Sequence, residues 1–167
     1  HTLTELDIDK QLTTFRAEGD HFQSLSFATI AGSGPNAAII HYGATAADHR
    51  TLQSGEFLLI DSGAQYLDGT TDITRTIPIG EVSNEMKDRY TRVLKGHIAL
   101  AKARFPAGLP GSALDTLARQ FLWDVGLDFS HGTGHGVGSY LCVHEGPQNI
   151  SRRGDTALRP GMVLSNE

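Results

Sequence analysis

The sequence has few cysteines, no cluster of basic residues and no long apolar run, and each shortage excludes a class of protein. The single cysteine, Cys142, rules out an internal disulfide, so a reducing compartment such as the cytoplasm is predicted. The sequence has fourteen Lys and Arg and nineteen Asp and Glu, which give a net charge of −5. This balance argues against nucleic acid and acidic membranes as partners. No apolar run approaches the roughly 20 residues of a membrane-spanning helix.

What is present indicates a folded domain. The 167 residues are 39% hydrophobic and 20% charged, which is typical of a globular chain with a sizeable core. The order of predicted elements, strands followed by two adjacent helices and then more strands, favours the α+β class. The predicted strands are residues 25–30, 37–42, 57–61, 72–79 and 162–167.

Three helices are predicted from apolar spacing and capping residues. The second and third of these helices are each expected to bury one apolar face. The helices with their predicted caps are residues 4–18 (Thr4 with Asp7), 83–106 (Ser83) and 112–126 (Ser112 with Asp115). The expected buried residues are Met86, Tyr90, Val93, Leu94, His97 and Ala101 on the second helix, and Leu114, Leu117, Phe121, Leu122 and Val125 on the third.

Residues 57–76 carry the chemistry that the rest of the chain must complete. Asp61 ends an apolar run and Asp72 lies in a second β-prone run, so two strands would present carboxylates to a divalent cation. A two-residue turn at residues 68–69 would leave the two carboxylates roughly 13 Å apart. A shared metal therefore requires a bulge or bend, predicted at residues 62–63. The alternative is that one Asp is a turn residue and the other a surface charge.

A glycine-rich segment downstream holds three histidines, His131, His135 and His144. Imidazole is the commonest nitrogen ligand for divalent metals at neutral pH, although each histidine alone is more often a hydrogen-bonded structural residue. The zinc-protease pattern HExxH is absent, since its Glu is missing and this segment is no helix. Glu167 follows a β-like run and would add a third carboxylate. An oxygen-rich set with one imidazole suits Mn²⁺, Co²⁺ or Zn²⁺ in a paired-metal hydrolase.

Four strings in this order, GSGPNAAIIHY, IDSGAQYLDGTTDITRT, HGTGHGVGSYLCVHEGPQ and GMVLSNE, closely resemble the catalytic pita-bread domain of the X-prolyl aminopeptidases (aminopeptidase P). The resemblance extends from about Thr4 to the last residue. It is closest to the long, multidomain, cytosolic type. Prolidase, methionine aminopeptidase and creatinase share the fold but match these strings less well.

The resemblance implies a role for each matching residue. Two sites for divalent cations would be built from two aspartates, one histidine and one glutamate, and three further histidines would contact the substrate and the charge of the tetrahedral intermediate. Glu167 would also move a proton to the leaving nitrogen. The implied metal ligands are Asp61, Asp72 (bridging), His135 and Glu167, and the implied substrate-side residues are His41, His131 and His144.

The resemblance also implies an activity. The family removes an N-terminal residue when proline is second, typically with two Mn²⁺ ions, for which Zn²⁺ or Co²⁺ are the alternatives. Peptides with proline second are therefore the expected partners, with a cytoplasmic location and a homodimer as further expectations.

One departure bears on these expectations. In the family a further bridging Glu lies beyond a TxEPG-type segment, whereas Glu167 is the last ligand present here. Residues 1–167 are thus expected to be a partial catalytic domain, a pita-bread fold incomplete at its C-terminal end. Such a piece would bind metal weakly and be nearly inactive.

Three other interpretations remain open. A non-catalytic pita-bread module could bind peptides or proteins, but such modules usually lose their metal ligands. A prolidase-type dipeptidase would cleave only dipeptides. A plain α+β domain with structural Asp and His residues would have to match four motifs by accident.

Overall fold

The computed structural model describes residues 2–140 and 142–167, which form two compact units containing both helices and antiparallel sheets. The first unit comprises His1–Ser83 with Ser139–Val143, and the second comprises Asn84–Gly138 with His144–Glu167. Among the described residues, no helix has the length and apolar character that crossing a membrane would require.

The first unit begins with helix α1, Glu5–Ala17. The predicted capping box is confirmed: the Asp7 amide donates to Thr4 Oγ1 at 3.2 Å, and the Thr4 amide donates to the Asp7 carboxylate at 2.9 Å. The helix ends close to the predicted stop. Phe15 near its C-terminal end is 60% exposed.

The next strands differ from the prediction. β1 is Phe22–Leu25 and β2 is Ile30–Ser33, so residues 26–29 leave the sheet. The predicted strand over residues 37–42 is wrong. Residues 34–38 form a 3₁₀ helix with a proline in its first turn, and residues 39–41 form a turn. The Gly-Pro-Asn start of this helix outweighs the β-propensity of the isoleucines that follow, because turn chemistry acts locally.

The central stretch forms antiparallel strands, as predicted. The longest two pair over their whole length, with Glu56 opposite Ile79 and Ser62 opposite Ile73. The strands are β3 (Glu56–Ser62), β4 (Ala64–Tyr66), β5 (Gly69–Thr70) and β6 (Ile73–Ile79). The longest two, β3 and β6, belong to a sheet of order β2-β3-β6, and a second sheet has the order β1-β4-β5.

The turn in this stretch lies one residue earlier than predicted, and this changes the spacing of the aspartates. Tyr66 pairs with Gly69, so residues 67–68 form the two-residue turn. The same register places Asp61 opposite Thr74. Asp61 and Asp72 are therefore offset by two residues along the sheet, whereas the predicted turn at residues 68–69 would offset them by four. The expected separation of about 13 Å was wrong because it rested on the misplaced turn.

The strand is interrupted at Gly63, within the residues 62–63 where a bulge or bend is predicted, but the register does not shift there. Gly63 separates β3 from β4. A Cβ atom here would lie 1.9 Å from the carbonyl oxygen of Thr71 and 2.4 Å from Ser26 Oγ. Only glycine allows the two chain segments to approach this closely.

A buried carboxylate holds the first unit together. Glu5 is fully buried and accepts hydrogen bonds from the Ser33 amide (2.6 Å), the Arg50 amide (2.8 Å) and the Tyr42 hydroxyl (2.8 Å). The Asn36 side chain donates to both of its oxygens. Burial raises the pKa of Glu5, but these hydrogen bonds lower it by more, so the pKa lies below its ordinary value. Glu5 therefore ties α1 to β2 and to the loop that carries Tyr42.

We expect Glu5→Gln to lower the free energy of unfolding by about 2 kcal/mol at pH 7, because an uncharged amide replaces a carboxylate at several hydrogen bonds. A folded-state pKa below the unfolded value means that the stabilisation is complete above about pH 4.3 and is lost as the pH falls through the folded-state value. Urea unfolding of both proteins at several pH values checks this. A difference that stays constant down to pH 3 would show that Glu5 does not act as an ionised carboxylate.

The second unit contains two packed helices, α2 (Asn84–Ala101) and α3 (Ser112–Trp123). The predicted buried face of α2 is wrong, because Tyr90, Val93 and Leu94 are more than 40% exposed. The buried residues are instead Gly96 and Leu100. A Cβ atom on Gly96 would lie 2.1 Å from the Ala118 carbonyl oxygen, so α2 meets α3 through its smallest residue.

The predicted capping box of α3 is also wrong. Gly111 is the N-cap, and it makes no side-chain capping bond. Asp115 is instead buried inside the unit, 3% exposed. The predicted face is confirmed at Leu114 and Leu122, which are buried, but Val125 lies beyond the helix and is 40% exposed. The core of the unit consists of Leu100, Leu114, Ile150 and Leu158.

Two short strands complete the second unit, β7 (Gly134–His135) and β8 (Asn149–Ile150). The strand predicted for residues 162–167 is not continuous, since only the isolated bridge of Leu164 with Gly136 forms. The segment nevertheless runs antiparallel to β7, with 2.8 Å hydrogen bonds from the Ser165 amide to His135 and from the Glu167 amide to Thr133. β7 thus has hydrogen-bonded neighbours on both sides.

Candidate metal centre

The two aspartates of the first unit lie on one side of the β3–β6 ladder. Asp61 is opposite Thr74, and Asp72 precedes Thr74 by two residues. Residues at such diagonal positions lie about 7–8 Å apart, and their side chains are closer. Both aspartates are half-buried. The register therefore places these two predicted ligands two residues apart along the sheet.

Helix α1 fixes the strand just after Asp61. The Arg16 guanidinium donates at 3.0 Å to both the carbonyl oxygen and the hydroxyl of Ser62. Tyr66 in turn donates to the Arg16 carbonyl at 3.1 Å. Ser62 is buried, so these bonds hold the end of β3 against the helix.

In the second unit, His135 and Glu167 are in contact. His135 Nε2 lies 2.8 Å from Glu167 Oε1. The pairing of residues 133–137 with 163–167 explains this contact, because Ser165 is opposite His135 and Glu167 lies two residues further on, on the same face. The structure therefore brings together an imidazole and a carboxylate that are 32 positions apart in the sequence.

The hydrogen bonds of His135 show which of its nitrogens can bind a cation. Nδ1 lies 2.8 Å from the Gly136 carbonyl oxygen, which can only accept, so Nδ1 carries the hydrogen. When the ring is neutral, the Nε2 lone pair points at the Glu167 carboxylate oxygen, and when the ring is protonated, Nε2–H donates to that oxygen. Two acceptors at 2.8 Å need a proton or a cation between them. A backbone carbonyl on the other ring nitrogen is the usual support of a metal-binding histidine.

Ser165 links the same two residues. Its hydroxyl accepts from the His135 amide at 3.0 Å and donates to Glu167 Oε1 at 2.7 Å. Burial raises the pKa of Glu167, but the bonds to His135 and Ser165 and the charges of His135 and His131 lower it by more. The carboxylate is therefore ionised at neutral pH, as a metal ligand must be.

The other predicted histidines lie as follows. The His144 ring meets the His135 ring edge-on, with centroids 4.2 Å apart. His131 is exposed, with Nδ1 2.7 Å from the Gly132 carbonyl oxygen, so Nδ1 carries the ring hydrogen. His41 lies in the first unit on the turn of residues 39–41, with φ of 56° and an exposed side chain.

Sequence reasoning missed the residues that support the site. Ser165 gave no signal, because one serine beside a predicted ligand is unremarkable. Asp115 was assigned to a helix cap, although Asp115 and Arg119 lie four residues apart on α3 and form a buried ion pair at 2.8 Å. An acidic and a basic residue at this spacing beside apolar neighbours could have indicated the pair.

The residues present fit a divalent cation. Within the first unit two aspartates offer carboxylate oxygen. Within the second unit a carboxylate lies beside an imidazole whose Nδ1 hydrogen is fixed by a backbone carbonyl. Oxygen with some nitrogen is the donor set that Mn²⁺, Co²⁺ and Zn²⁺ accept.

A family model described as metallopeptidase family M24 matches residues 1–167. Among curated relatives, aminopeptidase P2 of Arabidopsis thaliana is 54% identical over 99% of this chain and 24% of the relative. A probable Xaa-Pro aminopeptidase P of Tuber melanosporum is 53% identical over 99% of this chain and 27% of the relative. The chain thus spans about a quarter of the length of these relatives.

Solved structures that resemble this chain are also X-prolyl aminopeptidases and dipeptidases. An X-prolyl aminopeptidase of Caenorhabditis elegans, described as a cytosolic enzyme with a di-nuclear active site, is 47% identical with a TM-score of 0.92, covering 96% of this chain and 26% of that one. An Xaa-Pro dipeptidase of Bacillus anthracis is 35% identical with a TM-score of 0.85, covering 98% and 44%. The predicted α+β pita-bread fold is confirmed. With a family match over its whole length and relatives more than 50% identical, the chain belongs to metallopeptidase family M24.

Proposed function

We propose that a protein containing this chain removes the N-terminal residue from peptides whose second residue is proline. The observation that carries the proposal is the 2.8 Å contact of His135 Nε2 with the Glu167 carboxylate, in which the other ring nitrogen is occupied by a carbonyl. Relatives named Xaa-Pro aminopeptidase P support the choice of substrate.

We propose further that Asp61 and Asp72 of the first unit and His135 and Glu167 of the second hold two divalent cations. The di-nuclear site of the nematode relative supports two ions. Mn²⁺ is the proposed metal, because three of the four ligands are hard carboxylates, and Zn²⁺ or Co²⁺ also suit the set. Bound there, the cations would supply an activated water for attack on the peptide carbonyl.

Four side chains of this chain would move the proton, stabilise the oxyanion and bind the peptide. Glu167, ionised and fixed by Ser165, would take a proton and deliver it to the proline nitrogen as the bond breaks. His144 lies against the His135 ring, from where its N–H would donate to the developing oxyanion. His131 and His41 would bind the residues after the scissile bond, since both side chains are exposed.

A prolidase-type dipeptidase is the second candidate. The likeness to the Bacillus anthracis Xaa-Pro dipeptidase favours it, though at 35% identity against 47% for the nematode aminopeptidase. A non-catalytic peptide-binding module is disfavoured, because all four proposed ligands are present. The nematode relative is a cytosolic enzyme, which supports a cytoplasmic location, and the homodimer stays a prediction.

Two measurements test the proposal. Mn²⁺ binding is followed by isothermal titration calorimetry in the chain itself, where one or two sites that are lost in His135→Ala are expected. Hydrolysis of Xaa-Pro-Yaa tripeptides and Xaa-Pro dipeptides is compared in the protein that contains the chain. Cleavage of tripeptides supports the aminopeptidase, and cleavage of dipeptides alone supports the prolidase. Metal binding without cleavage of either would overturn the enzymatic proposal.

A further inference from the structure

Arg119 on α3 is a buried cation at the centre of several contacts. The residue is 2% exposed. Its guanidinium donates to Asp115 Oδ2 (2.8 Å), Asp128 Oδ1 (2.9 Å) and the Phe129 carbonyl (2.6 Å). Burial raises the pKa of Asp128, but the hydrogen bond from Arg119 and weaker effects of the same sign lower it by more, so that the pKa is about 2. Arg119 and Asp128 are both charged at neutral pH, so the buried cation has a counter-ion inside the unit.

The same guanidinium holds His131. Its third nitrogen donates to the His131 carbonyl at 2.7 Å. Its Cζ atom lies over the Phe129 ring, 3.9 Å from the centroid. The centroids of the Phe129 and His131 rings are 4.7 Å apart, and the rings are tilted by 34°. Arg119, Phe129 and His131 therefore form a stack, in which both the backbone and the side chain of His131 are constrained.

Asp115 extends the network towards the His135–Glu167 pair. Its second oxygen accepts from Thr133 Oγ1 at 2.6 Å, and Thr133 is fully buried. The Thr133 carbonyl accepts the Glu167 amide at 2.8 Å. One turn of α3 thus sets the strand end that carries His131 relative to the segment that carries Glu167.

We propose that Arg119 is a positioning residue, whose guanidinium fixes His131 through the His131 carbonyl and the Phe129 ring. The inference rests on the proposed function, in which His131 contacts the substrate. Arg119 does not touch substrate itself. Lysine could keep one charge contact, but an ammonium can neither span the carbonyls of Phe129 and His131 nor stack on a ring as a plane.

The test compares Arg119→Lys with wild type in the metal-loaded protein. A misplaced His131 should lower kcat on an Xaa-Pro-Yaa peptide by roughly 10- to 100-fold. In a His131→Ala background, the same Arg119→Lys change should lower kcat by less than about twofold, because Arg119 acts through His131. A merely structural role would give the same loss in both backgrounds, and that result would overturn the inference.

A second readout does not depend on activity. In the metal-free protein, NMR chemical shifts of the His131 ring protons report the neighbouring Phe129 ring, and they should move in Arg119→Lys. Unchanged shifts would contradict the stack. If wild type cleaves no Xaa-Pro peptide, the proposed function fails, whereas these shifts still decide whether Arg119 positions His131.

Two further variants keep the test decisive. Arg92→Lys is the matched control, because Arg92 also joins an aspartate, Asp88, to a backbone carbonyl, that of Phe121, but does not hold His131. It should change kcat by less than about twofold. If Arg119→Lys does not fold, Phe129→Leu removes the stacked ring and leaves the ion pairs intact. It should move the His131 shifts and lower kcat, and wild-type values for both would overturn the proposal.

Discussion

Replacing Asp72 by Asn is expected to weaken Mn²⁺ binding by more than about 100-fold. The proposed role of Asp72 is to bridge two cations, and an amide oxygen carries no charge to offset them. Residues that merely support a metal ligand cost about 10- to 100-fold when changed, so a bridging ligand should cost more. Calorimetric titration with Mn²⁺, supported by metal analysis after dialysis, measures the loss. Peptide cleavage should fall in parallel.

Asp68→Asn is the matched control for this prediction. Asp68 is an exposed aspartate in the turn of the adjoining β4–β5 hairpin, so its change removes the same charge without removing a proposed ligand. It should leave Mn²⁺ affinity within about threefold of wild type, since exposed charges act weakly through solvent. If Asp72→Asn and Asp68→Asn bind Mn²⁺ equally well, Asp72 is not a ligand.

The sequence predicted the strands that carry the aspartates but not their pairing. Apolar, β-prone runs on either side of a turn signal located β3 and β6 to within a residue at each end. The register depended on which two residues form the turn, and a shift of one position there moves every cross-strand partner by two. Propensity could not decide this, because Asp68 suits a turn whether it is the first or the second central residue.

Burial was harder to predict than secondary structure. The apolar spacing on α2 correctly indicated a helix, yet the face that packs on α3 is centred on Gly96, which has no apolar side chain to signal burial. The contact of His135 with Glu167 also has no local signal, since it depends on residues 163–167 lying beside β7. Only the resemblance to a known family linked these residues before the structure did.

The glycines around His135 lead to the second large prediction. A Cβ atom on Gly134 would lie 2.2 Å from the backbone carbonyl oxygen of Ser165. Gly134→Ala should therefore push the 163–167 segment away from β7 and lower the free energy of unfolding by about 1–3 kcal/mol. It should also weaken Mn²⁺ binding, because the displaced segment carries Glu167. Urea unfolding and calorimetric titration measure the two effects.

Gly132→Ala is the control for this steric effect. It tests whether any side chain added to the glycine-rich segment around His135 is destabilising. A Cβ atom on Gly132 would meet only Ser151 Cβ at 3.6 Å and the Ile150 carbonyl oxygen at 3.7 Å, which are ordinary contacts. Its free energy of unfolding should stay within about 0.5 kcal/mol of wild type, with Mn²⁺ affinity unchanged. If Gly134→Ala is equally harmless, the close approach of the two segments is not what holds Glu167 against His135. The metal proposal would then lose its geometric support.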